Sequence, residues 1–85
     1  MKGYVIEANQ VTADNSYSSN WLIGTAIRSI GSSSGRGEFY IESEHNFFKT
    51  IGAAKRTMNK LIKIYKSIEE RTGLITTLKI KELNI

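Results

Sequence analysis

Ile51-Gly-Ala-Ala-Lys-Arg-Thr-Met-Asn-Lys-Leu-Ile-Lys-Ile-Tyr-Lys-Ser-Ile-Glu-Glu-Arg71 is the one long stretch of this 85-residue chain with a clean helical period. At about 100° per residue, Ile51, Ala54, Met58, Leu61, Ile62, Tyr65 and Ile68 fall on one apolar arc. Arg56, Lys60, Lys63 and Ser67 lie opposite, and Lys55 and Lys66 stand on the borders, where their stems can cover apolar surface. Thr50 suits the N-cap, because its hydroxyl can accept from a free N–H of the first turn. Phe47 and Phe48 fit either an incoming strand or a staple onto the helix. Gly73 suits the left-handed position after the last turn, with Arg71 at the negative end of the dipole. The stretch therefore predicts an amphipathic helix over 51–71 that lies on a sheet. Its apolar side chains contribute ~1.5–3 kcal/mol each when fully buried.

The same stretch holds the charge. From Lys49 to Arg71 there are seven cations and two anions, a net +5, while the rest of the chain carries five cations and six anions. The basic character belongs to the helix rather than to the molecule as a whole. With no cysteine, neither a disulfide nor a thiolate metal site is available. The first residues, Met1 to Glu7, contain no apolar run of signal-peptide length. No segment reaches the ~18 apolar residues of a membrane span. The expectation is a single domain over 1–85 in the cytoplasm.

Working outward, alternation predicts strands on both sides of the helix. Residues 3–11 place Tyr4, Ile6 and Ala8 on one face and Val5, Glu7 and Asn9 on the other. Residues 12–20 read as a polar connection with turn chemistry at Asp14-Asn15. Residues 21–30 read as a second strand with Trp21, Ile23 and Ile27 toward the helix and Gly24 as either a bulge or a close approach of backbone. Gly31-Ser-Ser-Ser-Gly-Arg-Gly37 reads as a bendable hairpin tip. Residues 38–43 form a third strand with Phe39 and Ile41 inward, and residues 74–83 a fourth with Leu74, Leu78 and Ile80 toward the helix. The predicted class is a two-layer α+β domain in the order β-β-β-α-β, an antiparallel meander and a returning strand that pairs beside the first. With three strands before the helix, that returning strand is expected parallel to the first.

The residues that carry chemistry are few. His45 is the single histidine and sits in the polar turn Glu42-Ser-Glu-His-Asn46, without a recognised partner or ligand spacing. The glycine-serine segment lacks the Gly-Lys-Ser/Thr ending of a nucleotide-binding loop, and a strand follows it. No catalytic group, cofactor or metal is expected. The basic residues are the remaining candidates: Lys49, Lys55, Arg56, Lys60, Lys63 and Lys66 on the helix side, joined by Arg36 on the bendable loop. Phosphates attract such a stripe, and binding releases counterions. Lysine outnumbers arginine in it, which favours loose phosphate contact over bidentate base reading. A solvated helix face that only keeps the protein soluble is the competing reading. The outer sheet face, expected to show Tyr40, Arg28, Lys79, Lys81, Glu7 and Glu42, is a second candidate surface, with cross-strand ion pairs as its plainer alternative.

The layout of three antiparallel strands backed by a helix resembles small sheet-type DNA-binding domains of integrases and plant transcription factors. The run Phe-Phe-Lys-Thr-Ile-Gly-Ala-Ala-Lys from 47 to 55 is similar to the strand-to-helix entry of small accessory proteins of phages and mobile elements. Two functional expectations follow. One is a non-enzymatic basic protein that associates with DNA or RNA through phosphate contacts. The other is a protein-interaction module, such as a phage or mobile-element accessory or inhibitor protein, that binds a partner or a second copy through the sheet face or an edge strand.

Overall fold

The computed structural model describes residues 2–33, 38–42 and 46–84. Arg36, His45 and most of the expected loop tip lie outside the described residues. The elements are β1 (Lys2–Val11), β2 (Ser18–Ile23), β3 (Ser29–Ser33), β4 (Phe39–Ile41), α1 (Ile51–Thr72) and β5 (Ile75–Asn84). They form an α+β fold in which one curled antiparallel sheet, ordered β4-β3-β2-β1-β5, carries the helix.

The helix matches its sequence signals. The Thr50 hydroxyl accepts from the Ala53 N–H at 3.1 Å, and Gly73, at φ 77°, donates its N–H to the Glu69 carbonyl at 2.8 Å. Ala54 and Leu61 are buried, while Met58 and Tyr65 pack against the core from its margin. Ile51 and Ile62, expected in the apolar arc, are instead close to half exposed. The helix packs mainly on β5 and β1, so only the centre of the arc meets the sheet.

The meander contains four strands, not three. The expected second strand over 21–30 is broken in two by a 3-10 turn at Thr25–Ile27. Ala26 and Ile27 both have positive φ, 60° and 54°, and Arg28 donates its N–H to the Thr25 carbonyl at 3.4 Å. Positive φ at both central positions is the backbone of a type I′ hairpin turn, where Asn-Gly is usual and Ala-Ile is strained. Ile27 therefore stands at the tip, half exposed, rather than facing the helix. Gly24 sits where a Cβ would lie 2.2 Å from the Asn46 carbonyl oxygen. Of the two roles expected of Gly24, close backbone approach is the one that requires glycine there, and the register irregularity of this strand pair lies between Leu22 and Ile23.

The extra strand reverses the direction of the last one. With four strands before the helix, the chain enters α1 from the opposite end of the sheet. β5 then returns antiparallel to β1, not parallel as three strands would require, along the full register from Lys2↔Asn84 to Val11↔Ile75. Its expected neighbour, β1, is the observed one.

The sheet buries residues on both faces. On the helix side, Ile6, Ala8, Ile23, Phe48, Ala54 and Leu61 form one cluster, with Trp21, Leu78 and Ile80 packed on it. On the other side Val5, Leu22 and Ile30 are fully buried, packed against Phe39, Ile41, Phe47 and Leu83. Phe39 and Ile41 thus serve this second cluster and not the helix. Consecutive phenylalanines join the two: Phe48 exchanges both backbone hydrogen bonds with Tyr4 at 2.9 Å, while Phe47 lies against Gly3. Gly31, Ser32 and Ser33, expected at the loop tip, belong to β3. A Cβ on Gly31 would lie 2.0 Å from the Tyr40 carbonyl oxygen.

Polar connections are satisfied locally. In the β1–β2 connection the Asp14 carboxylate accepts from the Thr12 and Ser16 hydroxyls, both at 2.7 Å, and from the Ser16 N–H at 3.1 Å. Hydrogen bonds from Ser16 first, then Thr12, hold its pKa down at about 2.

Candidate nucleic-acid interface

Twenty-two residues at ~1.5 Å rise make α1 about 33 Å long. Lys55, Arg56, Lys60, Lys63 and Lys66 occupy the surface turned away from the sheet, and Lys49 stands just before the cap; all six are exposed. Along the axis Lys55 and Lys66 are about 16 Å apart, and around it the five helical cations span ~140°. The structure therefore places five of these sequence candidates on one arc of α1, with Lys49 two residues before it. Arg36 lies outside the described residues.

This charge does not stabilise the helix that bears it. The first turn holds no acidic residue, so Lys49, Lys55 and Arg56 approach the positive end of the macrodipole without an anion to offset it. Arg56 with Lys60, Lys60 with Lys63, and Lys63 with Lys66 are like-charge neighbours at three- or four-residue spacing. Each such pair is destabilising by ~0.2–0.5 kcal/mol. Lys79 Nζ lies 3.2 Å from Glu7 Oε1, an ion pair across the β1–β5 ladder on the opposite face. Glu69 and Glu70 stand three and four residues beyond Lys66, whereas no carboxylate of α1 stands at that spacing from Lys55, Arg56, Lys60 or Lys63.

Two depressions flank the helix. On the β2 side an open cleft of about 570 Å³ lies between the Thr25–Arg28 turn and the first half of α1, with Arg56 and Lys60 on its helix wall. On the β5 side a smaller groove of about 230 Å³ is lined by Ile62, Tyr65, Lys66, Glu69, Thr76 and Leu78. The cleft was not legible in the sequence, because Ala26-Ile27 carries no turn chemistry and its residues read as strand.

The outer sheet face differs from the bare surface expected of it. Val5 and Leu22 are sealed under the second cluster, and Glu7 is engaged by Lys79. Tyr40, at 65% exposure, and Arg28 do stand in solvent. β5 forms one edge of the sheet, and among the described residues no strand pairs with its outer side. Among the described residues no helix is long and apolar enough to cross a membrane. Among the described residues no group of three or more His, Cys, Asp or Glu side chains converges in a way that could hold a metal ion.

Compared with known proteins, the chain matches no family model, no curated protein and no solved structure.

Proposed function

We propose that this protein binds nucleic acid through the basic face of α1, as a binding protein rather than an enzyme. The observation that supports this reading is a cost. Three like-charge neighbours and an unneutralised N-terminal turn weaken the helix, and no carboxylate of α1 stands at helical spacing from Arg56, Lys60 or Lys63 to offset them. A face that served solubility alone would be served as well by mixed charge, which helices usually carry as stabilising pairs. Lys49, Lys55, Arg56, Lys60, Lys63 and Lys66 make phosphate contacts in this reading, and lysine's point charge suits contacts that carry no sequence information.

The test is the salt dependence of binding. Roughly five phosphate contacts give a slope of log affinity against log salt of about −4. Labelled DNA or RNA should bind at about 50 mM salt and be released steeply as salt rises. Absence of binding at low salt rejects the proposal.

A second reading is supported by β5. Ten residues of open edge, flanked by Ile62 and Ile75 at 46% and 41% exposure, form a surface to which a partner strand or a second copy could add. Lys79 and Lys81 on the same strand act against indiscriminate pairing. Concentration-dependent mass by light scattering, and partner capture with Lys81→Pro as control, test it.

A further inference from the structure

We infer that the preferred nucleic acid is single-stranded, with one nucleotide entering the cleft between the Thr25–Arg28 turn and α1. This inference rests on the reading of the basic face as a phosphate surface. It adds the form of the ligand and the place where it is recognised.

The basic face has two parts of different shape. Lys55 and Lys63 are exposed outside either depression, where they meet only phosphates and serve a duplex and a single strand alike, and Lys66 borders the separate groove on the β5 side. Arg56 and Lys60 are different, because they also form one wall of a recess. They are one helical turn apart, so both can reach a single phosphate, and the Arg56 fork can hold two of its oxygens at once. The rest of the lining is mixed: Ala53, Ala26 and the edge of the largely buried Phe48 are apolar, and Thr57 and Asn59 are polar.

The opposite wall has complementary hydrogen-bonding character. The Thr25 hydroxyl donates to the Asn46 side-chain oxygen at 3.3 Å, so its remaining capacity is to accept. One wall thus offers cations and the other an acceptor, with alanine side chains and the polar groups of Thr57 and Asn59 between them. A nucleotide has the matching parts: an anionic phosphate, a flat base with an apolar face, and donor groups on base or sugar. At about 570 Å³ the cleft has room for such a unit. In a duplex the bases are stacked and paired behind the backbone, so only an unpaired nucleotide can enter. Thr25 and Ala26, the latter at positive φ, are the residues of this turn that line the recess.

The experiment uses fluorescence anisotropy at about 50 mM salt with a labelled oligothymidylate and a labelled duplex of equal length. Thr57→Phe fills the cleft without changing charge, and Lys63→Gln removes a cation outside it. Thr57→Phe should weaken oligothymidylate binding roughly tenfold and leave the duplex unaffected, whereas Lys63→Gln should weaken both alike. If Thr57→Phe leaves oligothymidylate binding unchanged while Lys63→Gln weakens it, the cleft is not a nucleotide site and the helix-face reading stands. Tighter binding of the duplex than of the single strand also overturns the inference. If the wild-type protein binds neither, the helix-face reading itself fails. Because Thr57 is half-buried and its replacement can perturb folding, amide NMR shifts on the unmodified protein provide a second readout. Oligothymidylate should move Ala26, Thr57 and Asn59; shifts confined to Lys55, Lys63 and Lys66 contradict the cleft.

Discussion

The indole of Trp21 stands edge-on to the ring of Tyr65, with centroids 6.2 Å apart and planes inclined at 63°. This contact ties β2 to the middle of α1 and lies beside the half-buried Tyr65 phenol. Burial raises the Tyr65 pKa above its ordinary value of 10.0. The unfolded chain therefore releases this proton first as pH rises, so the stabilisation is complete below about pH 10 and declines above it. Tyr65→Phe should keep the packing and flatten that decline. Tyr65→Leu should cost about 1 kcal/mol through loss of the ring pair and shift Trp21 fluorescence. Thermal melts between neutral and alkaline pH check both.

Two cores make two equal demands on packing. Leu61 lies under the helix and Leu22 on the far side of the sheet, and both are essentially inaccessible to water. Leu61→Ala and Leu22→Ala should each cost roughly 2–5 kcal/mol in urea unfolding. A bare outer face would leave Leu22→Ala nearly neutral, so this variant separates a sealed second core from an open docking surface.

The Thr25–Arg28 turn stores strain that sequence can remove. Ala26 and the β-branched Ile27 occupy the left-handed region, at a cost of ~1–2 kcal/mol per residue. Ala26→Asn combined with Ile27→Gly restores the residues that a type I′ turn favours and should raise stability by about 1–2 kcal/mol. A loss of stability would show that contacts of Ala26 or Ile27 outweigh the backbone strain.

The helix was legible because three independent signals coincide there: the 3.6-residue period, Thr50 at the start and Gly73 at the end. The class of the fold followed, since alternation on both flanks leaves little but a sheet to receive an apolar stripe. The path of the sheet was hidden by two residues. Ala26-Ile27 suits a strand by composition, and its turn is imposed by tertiary packing around Gly24 and Asn46. Missing that turn removed one strand, and one strand changes the direction of every later element, β5 included. The second core was obscured for a related reason. Val5, Leu22 and Leu83 alternate with inward residues as solvent-facing positions do, until the curl of the sheet and Phe47 cover them. The basic face was visible in the sequence, whereas the cleft beside it depends on the unseen turn.

Asp14 gives the protein an acid-sensitive turn. Its pKa is lowered from 3.8 to about 2 by hydrogen bonds from Ser16 and then Thr12. The unfolded chain takes up this proton first as pH falls, so the contribution is complete above pH 3.8 and fades toward pH 2. An NMR titration of the Asp14 carboxyl should have its midpoint near pH 2. Ser16→Ala should move that midpoint upward.

The basic face should trade stability for binding. Replacing Lys60 and Lys63 by glutamine removes all three like-charge contacts among Arg56, Lys60, Lys63 and Lys66. The double variant should melt no lower than the wild type, and up to about 1 kcal/mol more stably.

The most direct measurement of the central claim is the salt dependence of oligonucleotide affinity for the wild-type protein and for Lys60→Gln/Lys63→Gln. A phosphate-binding helix face predicts a wild-type slope of about −4 and a slope shallower by about 1.5 in the double variant, with affinity reduced for every sequence tested. Equal slopes and affinities in the two proteins, or no binding by either at low salt, would contradict it.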